Sequence, residues 1–238
     1  MYKSQFQPSY NKIVFFTGAG MSAESGVPTY RGRGGIWNDY KWEEYACESA
    51  FRSNPDLVLD FHELRRIEAL KCKPHNGHFI INEIEHVIKN TKIITQNIDG
   101  MHQRANSTDV LELHGSLWKM RCENEGTNYE DLDGGKYSSR YCDCGNILRP
   151  DIIWFQDMLK EKVIQRAIGI ISSCDLFVSI GTSAVVYPAA GFPRLAKDSG
   201  AYCIEINPEK TEISQIYDEV IREKASNGLR LLKKQIID

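Results

Sequence analysis

The chain has 238 residues, 42% of them hydrophobic, enough to bury a sizeable core in one large domain or one with a smaller lobe. A formal net charge of −3 implies no strongly basic face, so nucleic acid is not an expected partner. Seven cysteines, an odd count, exclude a disulfide scaffold; with no signal peptide they point to the reducing cytoplasm, and no apolar run approaches the ~18 residues of a membrane span, so no membrane partner is expected.

Residues 1–11 are polar and read as a loose end. Residues 12–17 form the first strand, which enters Thr17-Gly18-Ala19-Gly20-Met21-Ser22-Ala23-Glu24. Gly18, Gly20 and Ala23 have the spacing G-x-G-x-x-A. In a parallel sheet this means a buried strand, a tight turn and a helix start. Gly18 permits the turn, Gly20 lets backbone approach a diphosphate, and Ala23 lets the helix pack close to the strand. The N–H groups at the helix start would face the anion. A small-residue turn without a nucleotide has the same spacing, so the motif needs support from the rest of the chain. Pro28 stops the helix. The Gly-rich stretch from Val27 to Trp37, with Tyr30 and Arg31, reads as a loop able to close over a cofactor.

Residues 54–72 form a helix with Asn54 as its cap and Pro55 in its first turn. Leu57, Phe61, Leu64 and Ile67 share one face. His62 and Arg65 are neighbours on another, by spacing alone a solvated polar stripe. Residues 75–90 form an amphipathic helix with Phe79, Ile80, Ile84 and Val87 on its apolar face. Its His75, His78 and His86 read as packing or surface residues. A second strand at 92–95 runs into Gln96-Asn97-Ile98-Asp99-Gly100, and a third at 110–113 runs into His114. Residues 118–150, with Cys122, Cys142 and Cys144 among many Gly, Asp and Asn, read as a small irregular insertion. Residues 160–172 are helical, and 175–180 form a strand ending in Gly181-Thr182-Ser183. A helix over 188–199 and a strand over 201–206 follow, the latter ending in Asn207-Pro208. Residues 211–224 and 228–236 read as closing helices.

Strands alternating with helices imply an α/β fold with a parallel sheet covered on both faces. Ligands in such sheets bind beyond the carboxyl ends of the strands. The glycine turn, Gln96, Asn97, Asp99, His114, the 181–183 turn and Asn207 should therefore converge on one cleft. Turn residues are often polar, but amides, a carboxylate and an imidazole directly after apolar strands form a chemical set.

These motifs, in this order, resemble the sirtuins, a family of NAD-dependent protein-lysine deacylases. The match also includes Gly26-Val27-Pro28-Thr29-Tyr30-Arg31-Gly32, Gly100-Met101-His102, Leu113-His114-Gly115-Ser116, Arg149-Pro150-Asp151-Ile152-Ile153-Trp154-Phe155 and Ile206-Asn207-Pro208. The resemblance implies a Rossmann-like parallel sheet with helices on both faces, plus a smaller inserted lobe with a degenerate zinc-module region. Residues 1–30, 75–117 and 155–238 would be the NAD-binding domain, and 31–74 and 118–154 the small domain.

The resemblance also implies site roles. NAD is the cofactor, with Gly18, Ala19, Gly20 and Met21 cradling the diphosphate, Ala23 and Glu24 beside them, and Tyr30 and Arg31 on the closing loop. Gly181, Thr182, Ser183 and Asn207 would serve the phosphate and adenosine side. Gln96, Asn97 and Asp99 would bind the nicotinamide ribose and carboxamide. The partners implied are acyl-lysine proteins or peptides. Their amide oxygen attacks the ribose and nicotinamide leaves. His114, the catalytic residue, is then the general base on a ribose hydroxyl, and amine and O-acyl-ADP-ribose follow. His102 would support the ribose loop.

Class III members of the family use a Tyr and an Arg one helical turn apart to remove succinyl and malonyl groups. Arg65 matches that Arg, and His62 stands where the Tyr is expected, so acidic-acyl removal is expected alongside deacetylation. Ile152, Trp154 and Phe155 would pair with the substrate by strand addition. Gln156 and Asp157 replace the usual Gly and Glu. The family's zinc site uses two C-x-x-C pairs, but here Glu125 follows Cys122, Tyr141 stands at the third position, Cys142 is shifted by one and Cys144 fills the last. Cys122, Cys142, Cys144 and Glu125 could form a distorted site, yet the expectation is that local packing replaces a tightly held zinc. Cys47, Cys72, Cys174 and Cys203 read as core or incidental. Two alternatives stay open, a sirtuin-type mono-ADP-ribosyltransferase and a non-catalytic NAD or ADP-ribose-binding module. A dehydrogenase is disfavoured, because no acid ends a second strand at the expected offset.

Overall fold

The alternation of apolar strands and helices read from the sequence builds the larger of two sheets. The structure, a computed structural model, describes residues 10–29, 35–132, 134–183 and 185–237. The loose end through residue 9, and Tyr30 and Arg31 of the closing loop, lie outside the described residues. In chain order the elements are β1 (Lys12–Thr17), α1 (Ala19–Ala23), α2 (Trp42–Tyr45), α3 (Glu48–Ser53), α4 (Pro55–Lys71), α5 (Asn76–Val87), β2 (Asn90–Thr95), α6 (Met101–Arg104) and β3 (Val110–Glu112). They continue with β4 (Gly115–Cys122), β5 (Thr127–Glu130), β6 (Arg149–Ile152), α7 (Glu161–Ile171), β7 (Leu176–Ile180), α8 (Phe192–Asp198), β8 (Tyr202–Ile206), β9 (Glu219–Ile221) and α9 (Ala225–Ile236).

Six strands form a parallel sheet in the order β3-β2-β1-β7-β8-β9. Strand residues alternate between faces. Ile13, Phe15, Ile93 and Val178 pack with α5 and α9 on one face. Val14, Phe16, Ile94 and Phe177 pack with α7 and α8 on the other. The chain winds outward from β1 in one direction and from β7 in the other. The β1/β7 boundary is therefore the switch point, where a parallel sheet opens a crevice beyond its strand ends. No described helix is long and apolar enough to cross a membrane.

The inserted lobe is more regular than its composition suggests. β5, β4 and β6 form an antiparallel sheet, entered straight from β3 through Gly115, whose φ of +77° favours glycine. Leu117, Trp118, Met120, Ile152 and Trp154 pack with Val58 and Leu59 of α4 in its core. Short strands separated by Gly- and Asp-rich turns hide this pattern.

Two helix readings need correction. Residues 211–224 are not a helix but a short 3₁₀ turn at Ser214–Ile216 followed by β9. Buried Glu205 on β8 explains this. It accepts from Thr211 Oγ1 at 2.5 Å, Ser214 Oγ at 2.6 Å and Arg222 at 2.8 Å, which pins the segment against the sheet edge. In α4 the side chains Leu57, Leu64 and Ile67 lie toward solvent, while Val58, Leu59, His62 and Arg66 are buried. Arg66 can be buried because its charge is satisfied. It donates to Leu117 O at 3.3 Å, to Asp131 O at 2.8 Å and to Gly134 O at 3.1 Å, and its guanidinium sits 4.6 Å from the Tyr137 ring centroid. Asn54 caps α4 as expected, accepting from Leu57 N–H at 3.2 Å.

Candidate active site

The loops beyond β1, β2, β3, β7 and β8 enclose a cleft of about 1330 Å³. Gly18, Ala19, Gly20, Ala23 and Glu24 line it from the first turn, Gln96 and Asn97 from the second, and His114 from the third. Gly181, Thr182, Ser183 and Asn207 line it from the other half of the sheet. His62, Arg65, Ile152, Trp154 and Phe155 line it from the lobe side. Asp99 lies one step away, in a recess of about 20 Å³ that shares Ala19, Arg65, Asn97 and Ile98 with the main cleft.

The glycines act differently from the sequence reading. Gly18 has φ −118°, an extended conformation open to any residue. What forbids a side chain is the neighbouring turn. A Cβ on Gly18 would stand 2.8 Å from Gly181 O, and one on Gly20 would stand 2.7 Å from Gly181 Cα. The two turns interlock at the switch point, and Gly20 N–H donates to Gly181 O at 2.8 Å. Met21 N–H is also taken, by Gly18 O at 2.9 Å. The helix start therefore offers fewer N–H groups than its motif implies. The Met21 side chain is fully buried in the core, and the Met21 carbonyl accepts from His75 Nε2–H at 2.6 Å. Glu24 spends its carboxylate on α9, accepting from Ser226 N–H and Oγ–H, both at 2.8 Å. Burial would raise its pKa, but the Ser226 bonds outweigh this and hold it below the usual carboxylate range.

The second strand end is preorganised. Asn97 is buried, and its Nδ2 donates to Gly18 O at 2.9 Å and to Ser22 Oγ at 3.2 Å, which leaves Oδ1 as its acceptor. Gln96 Nε2 donates to Thr182 Oγ1 at 2.9 Å, and Asn207 Nδ2 donates to Thr182 O at 3.1 Å, so the two halves of the cleft are stitched together. Asp99 accepts from Met101 N–H at 2.9 Å, and burial raises its pKa. His102 donates through Nε2 to Thr17 Oγ1 at 3.0 Å, whose own hydroxyl donates to Thr95 Oγ1 at 2.8 Å; Thr95 Oγ1 also accepts Asn97 N–H at 3.1 Å. His102 thus braces the start of the loop at Asn97 through this chain.

His114 Nδ1 lies 2.9 Å from the carbonyl oxygen of Gln96. A carbonyl only accepts, so Nδ1 carries the hydrogen and Nε2 keeps a lone pair. Burial lowers its pKa, partly offset by the Gln96 bond. The imidazole is therefore neutral at pH 7 and able to take a proton at Nε2.

The lobe side differs from a solvated stripe. His62 is buried and its Nε2 accepts from Trp154 Nε1–H at 2.9 Å. Gln156, at the position where the family has Gly, adopts φ +73°. Sequence reasoning missed the segment 209–212 together with Lys224 and Ala225, which line the cleft beside Asn207. The misread helix over 211–224 concealed them. The Thr211 and Ser214 hydroxyls beside Pro208 were the available signal of a turn.

Cys122, Glu125, Cys142 and Cys144 converge, with one donor atom of each within 4.8 Å of the others. The Cys122 and Cys144 sulfurs are 3.6 Å apart, and Cys142 Sγ is 3.1 Å from Glu125 Oε2. Hydrogen bonds from Asn146 lower the Cys144 pKa to about 7. Three thiols and a carboxylate at these separations fit four-coordinate zinc. The spacing shift at Cys142 did not keep the donors apart, because the turn over 142–145 folds back on itself through Gly145 N–H to Cys142 O at 2.8 Å.

A parallel sheet with a glycine-lined crevice at its switch point defines the class of nucleotide-binding α/β proteins. The sequence matches the Sir2 family over residues 18–188. A relative from Aquifex aeolicus (strain VF5), named NAD-dependent protein deacylase, is 46% identical over 220 residues, 92% of each chain. A solved Sir2 homologue, a mutant in complex with ADP-ribose, is 38% identical with a TM-score of 0.89, covering 95% of this chain and 92% of that one. The crystal structure of a Sir2 homologue–NAD complex is 38% identical with a TM-score of 0.85, covering 94% and 90%. The chain belongs to the Sir2 family, the sirtuins, and has the sirtuin fold.

Proposed function

We propose that this chain is an NAD-dependent protein deacylase that transfers an acyl group from lysine to ADP-ribose and releases nicotinamide. The observation that carries the reading is that the His114 imidazole, with its Nε2 lone pair, shares one cleft with Asn97 and the interlocked glycine turns. The residues fit NAD: the cleft is large, amide-lined and set at the switch point. When bound, NAD would supply an electrophilic ribose carbon with nicotinamide as its leaving group. In this reading residues 1–30, 75–117 and 155–238 form the NAD-binding domain, and 31–74 and 118–154 the small domain with the cofactor loop, the helical part and the cysteine module.

Gly18, Ala19, Gly20 and Ala23 line the diphosphate, and Met21 and Glu24 brace that turn from behind. Tyr30 and Arg31, outside the described residues, stay cofactor-binding candidates by the sirtuin resemblance. Gly181, Thr182, Ser183 and Asn207 hold the adenosine side. Gln96 orients His114, Asn97 Oδ1 accepts from a ribose hydroxyl, and Asp99 receives the carboxamide in its recess. His114 Nε2 takes the hydroxyl proton in the transfer step. Backbone at residues 152–155 pairs with an extended peptide. Cys122, Glu125, Cys142 and Cys144 would hold a structural zinc that ties the end of β4 to the loop over 141–146.

At the acyl end, Arg65 pairs with a carboxylate and His62 donates a hydrogen bond, so succinyl- and malonyl-lysine join acetyl-lysine as substrates. The test is nicotinamide release from NAD with acetyl-, succinyl- and glutaryl-lysine peptides, using wild type and Arg65→Met. Release that requires an acyl peptide is expected, with Arg65→Met losing succinyl activity at least about tenfold more than acetyl activity. Release without peptide, with labelled ADP-ribose left on protein, contradicts deacylation. Equal loss on all three peptides contradicts the carboxylate role alone.

A further inference from the structure

Trp154 and His62 are joined edge to edge. Their rings are inclined by only 8°, with centroids 5.8 Å apart, and the indole Nε1 is 2.9 Å from His62 Nε2. This is an in-plane hydrogen bond. An indole N–H can only donate. His62 Nε2 must therefore be the acceptor, and the hydrogen of the neutral imidazole resides on Nδ1. That Nδ1–H is buried and has no partner, an uncommon state for a buried donor. It belongs to a side chain that lines the cleft one turn from Arg65.

The surroundings lock this arrangement. Trp154 lies under Arg149, whose guanidinium carbon is 3.8 Å from the indole centroid. Arg149 is buried and donates to Glu48 of α3, to Glu123 and to Asp157. Asp157 also accepts Trp154 N–H at 3.1 Å. The indole is thus held by its face and its backbone. The charged groups acting on His62 are both cations, Arg65 on α4 and Arg149 on β6, and burial together with them pushes its pKa down to about 3. Phe61 packs beside the imidazole and Phe51 beside the indole.

We propose that Trp154 is a positioning residue that fixes His62 as a neutral imidazole with its hydrogen on Nδ1, presenting a donor to an acyl chain that ends in an oxygen acceptor. The substrate half of this inference rests on the acyl-pocket reading above. The tautomer half stands on the ring geometry alone. Arg65 then supplies the only charge at the acyl end among these two, and His62 contributes the same hydrogen bond from pH 5.5 to 8.5, roughly the range that an ordinary histidine would spend titrating. A carboxylate gains from both residues, whereas an acetyl group reaches neither with an oxygen.

Two measurements test it. Nitrogen-15 spectra of the histidines in wild type should read His62 Nε2 as unprotonated and Nδ1 as protonated, unchanged over that pH range. Trp154→Phe should move His62 to mixed tautomers. The ratio of KM for succinyl-lysine peptide to KM for acetyl-lysine peptide should rise about tenfold in Trp154→Phe, the loss expected for one hydrogen bond. Should Trp154→Phe not fold, His62→Asn and His62→Gln replace it. Asn places an N–H near the Nδ1 position and should keep the ratio within about threefold, while Gln should raise it about tenfold. A protonated Nε2 in wild type, a tautomer indifferent to Trp154→Phe, or a KM ratio unmoved by every variant overturns the proposal. Wild type inactive on succinyl-lysine removes the acyl-pocket reading and the substrate half with it, while the nitrogen spectra still decide the tautomer.

Discussion

The proposed role of His114 as a base rests on two constraints that act on different atoms. The Gln96 carbonyl fixes the hydrogen on Nδ1, and burial disfavours the imidazolium. A general base works only when neutral, and a lowered pKa keeps it neutral to lower pH. The acid limb of kcat/KM for an acyl peptide, at saturating NAD, is therefore expected to have its midpoint below the ordinary histidine value of ~6.5. A midpoint at or above that value would contradict the assignment of the limb to a buried His114. At this scale the sequence was informative where chemistry depends on adjacency. Gln96, Asn97 and His114 follow apolar strands directly, and a strand end has a fixed place in a parallel sheet. It was silent where a role depends on a distant partner. Nothing near Glu24 announces Ser226, and nothing near His62 announces Trp154, because those bonds cross the fold.

Among the elements, α4 and the loop after β6 shape the lobe side of the cleft. The apolar spacing of α4 put Leu57, Phe61, Leu64 and Ile67 on one face, yet of these the helix buries only Phe61, together with His62 and Arg66. Periodicity counts apolar residues and cannot count a guanidinium whose two terminal nitrogens donate to carbonyls and Asp131. The same blindness turned 211–224 into a helix, since buried Glu205 and its hydroxyl partners decide that segment. In the loop after β6, Gln156 holds φ +73° although it carries a side chain. A left-handed backbone costs a residue with a side chain about 1 kcal/mol. Gln156→Gly is expected to stabilise the protein by about 1 kcal/mol, seen as a higher urea midpoint with an unchanged m-value. An equal or lower midpoint would show that the left-handed backbone is unstrained there.

For the whole molecule, the parallel sheet was legible because strand and helix alternate, while its strand order and the switch point between β1 and β7 come only from the folded chain. The antiparallel sheet of the lobe was not, because its strands are short and its ligand spacing is irregular, and only the folded chain shows that Cys122, Glu125, Cys142 and Cys144 meet. Between sheet and lobe lies the cleft, with the cofactor turns on one wall and His62, Arg65 and Trp154 on the other. One imidazole at the junction of those walls is the centre of the account, and it is assigned to the transfer step that follows nicotinamide departure. The direct test is His114→Ala with NAD, labelled nicotinamide and an acetyl-lysine peptide, scoring exchange of label into NAD beside formation of free lysine. The account predicts that peptide-dependent exchange persists while deacylation falls at least about a hundredfold. Deacylation near the wild-type rate in His114→Ala would contradict it.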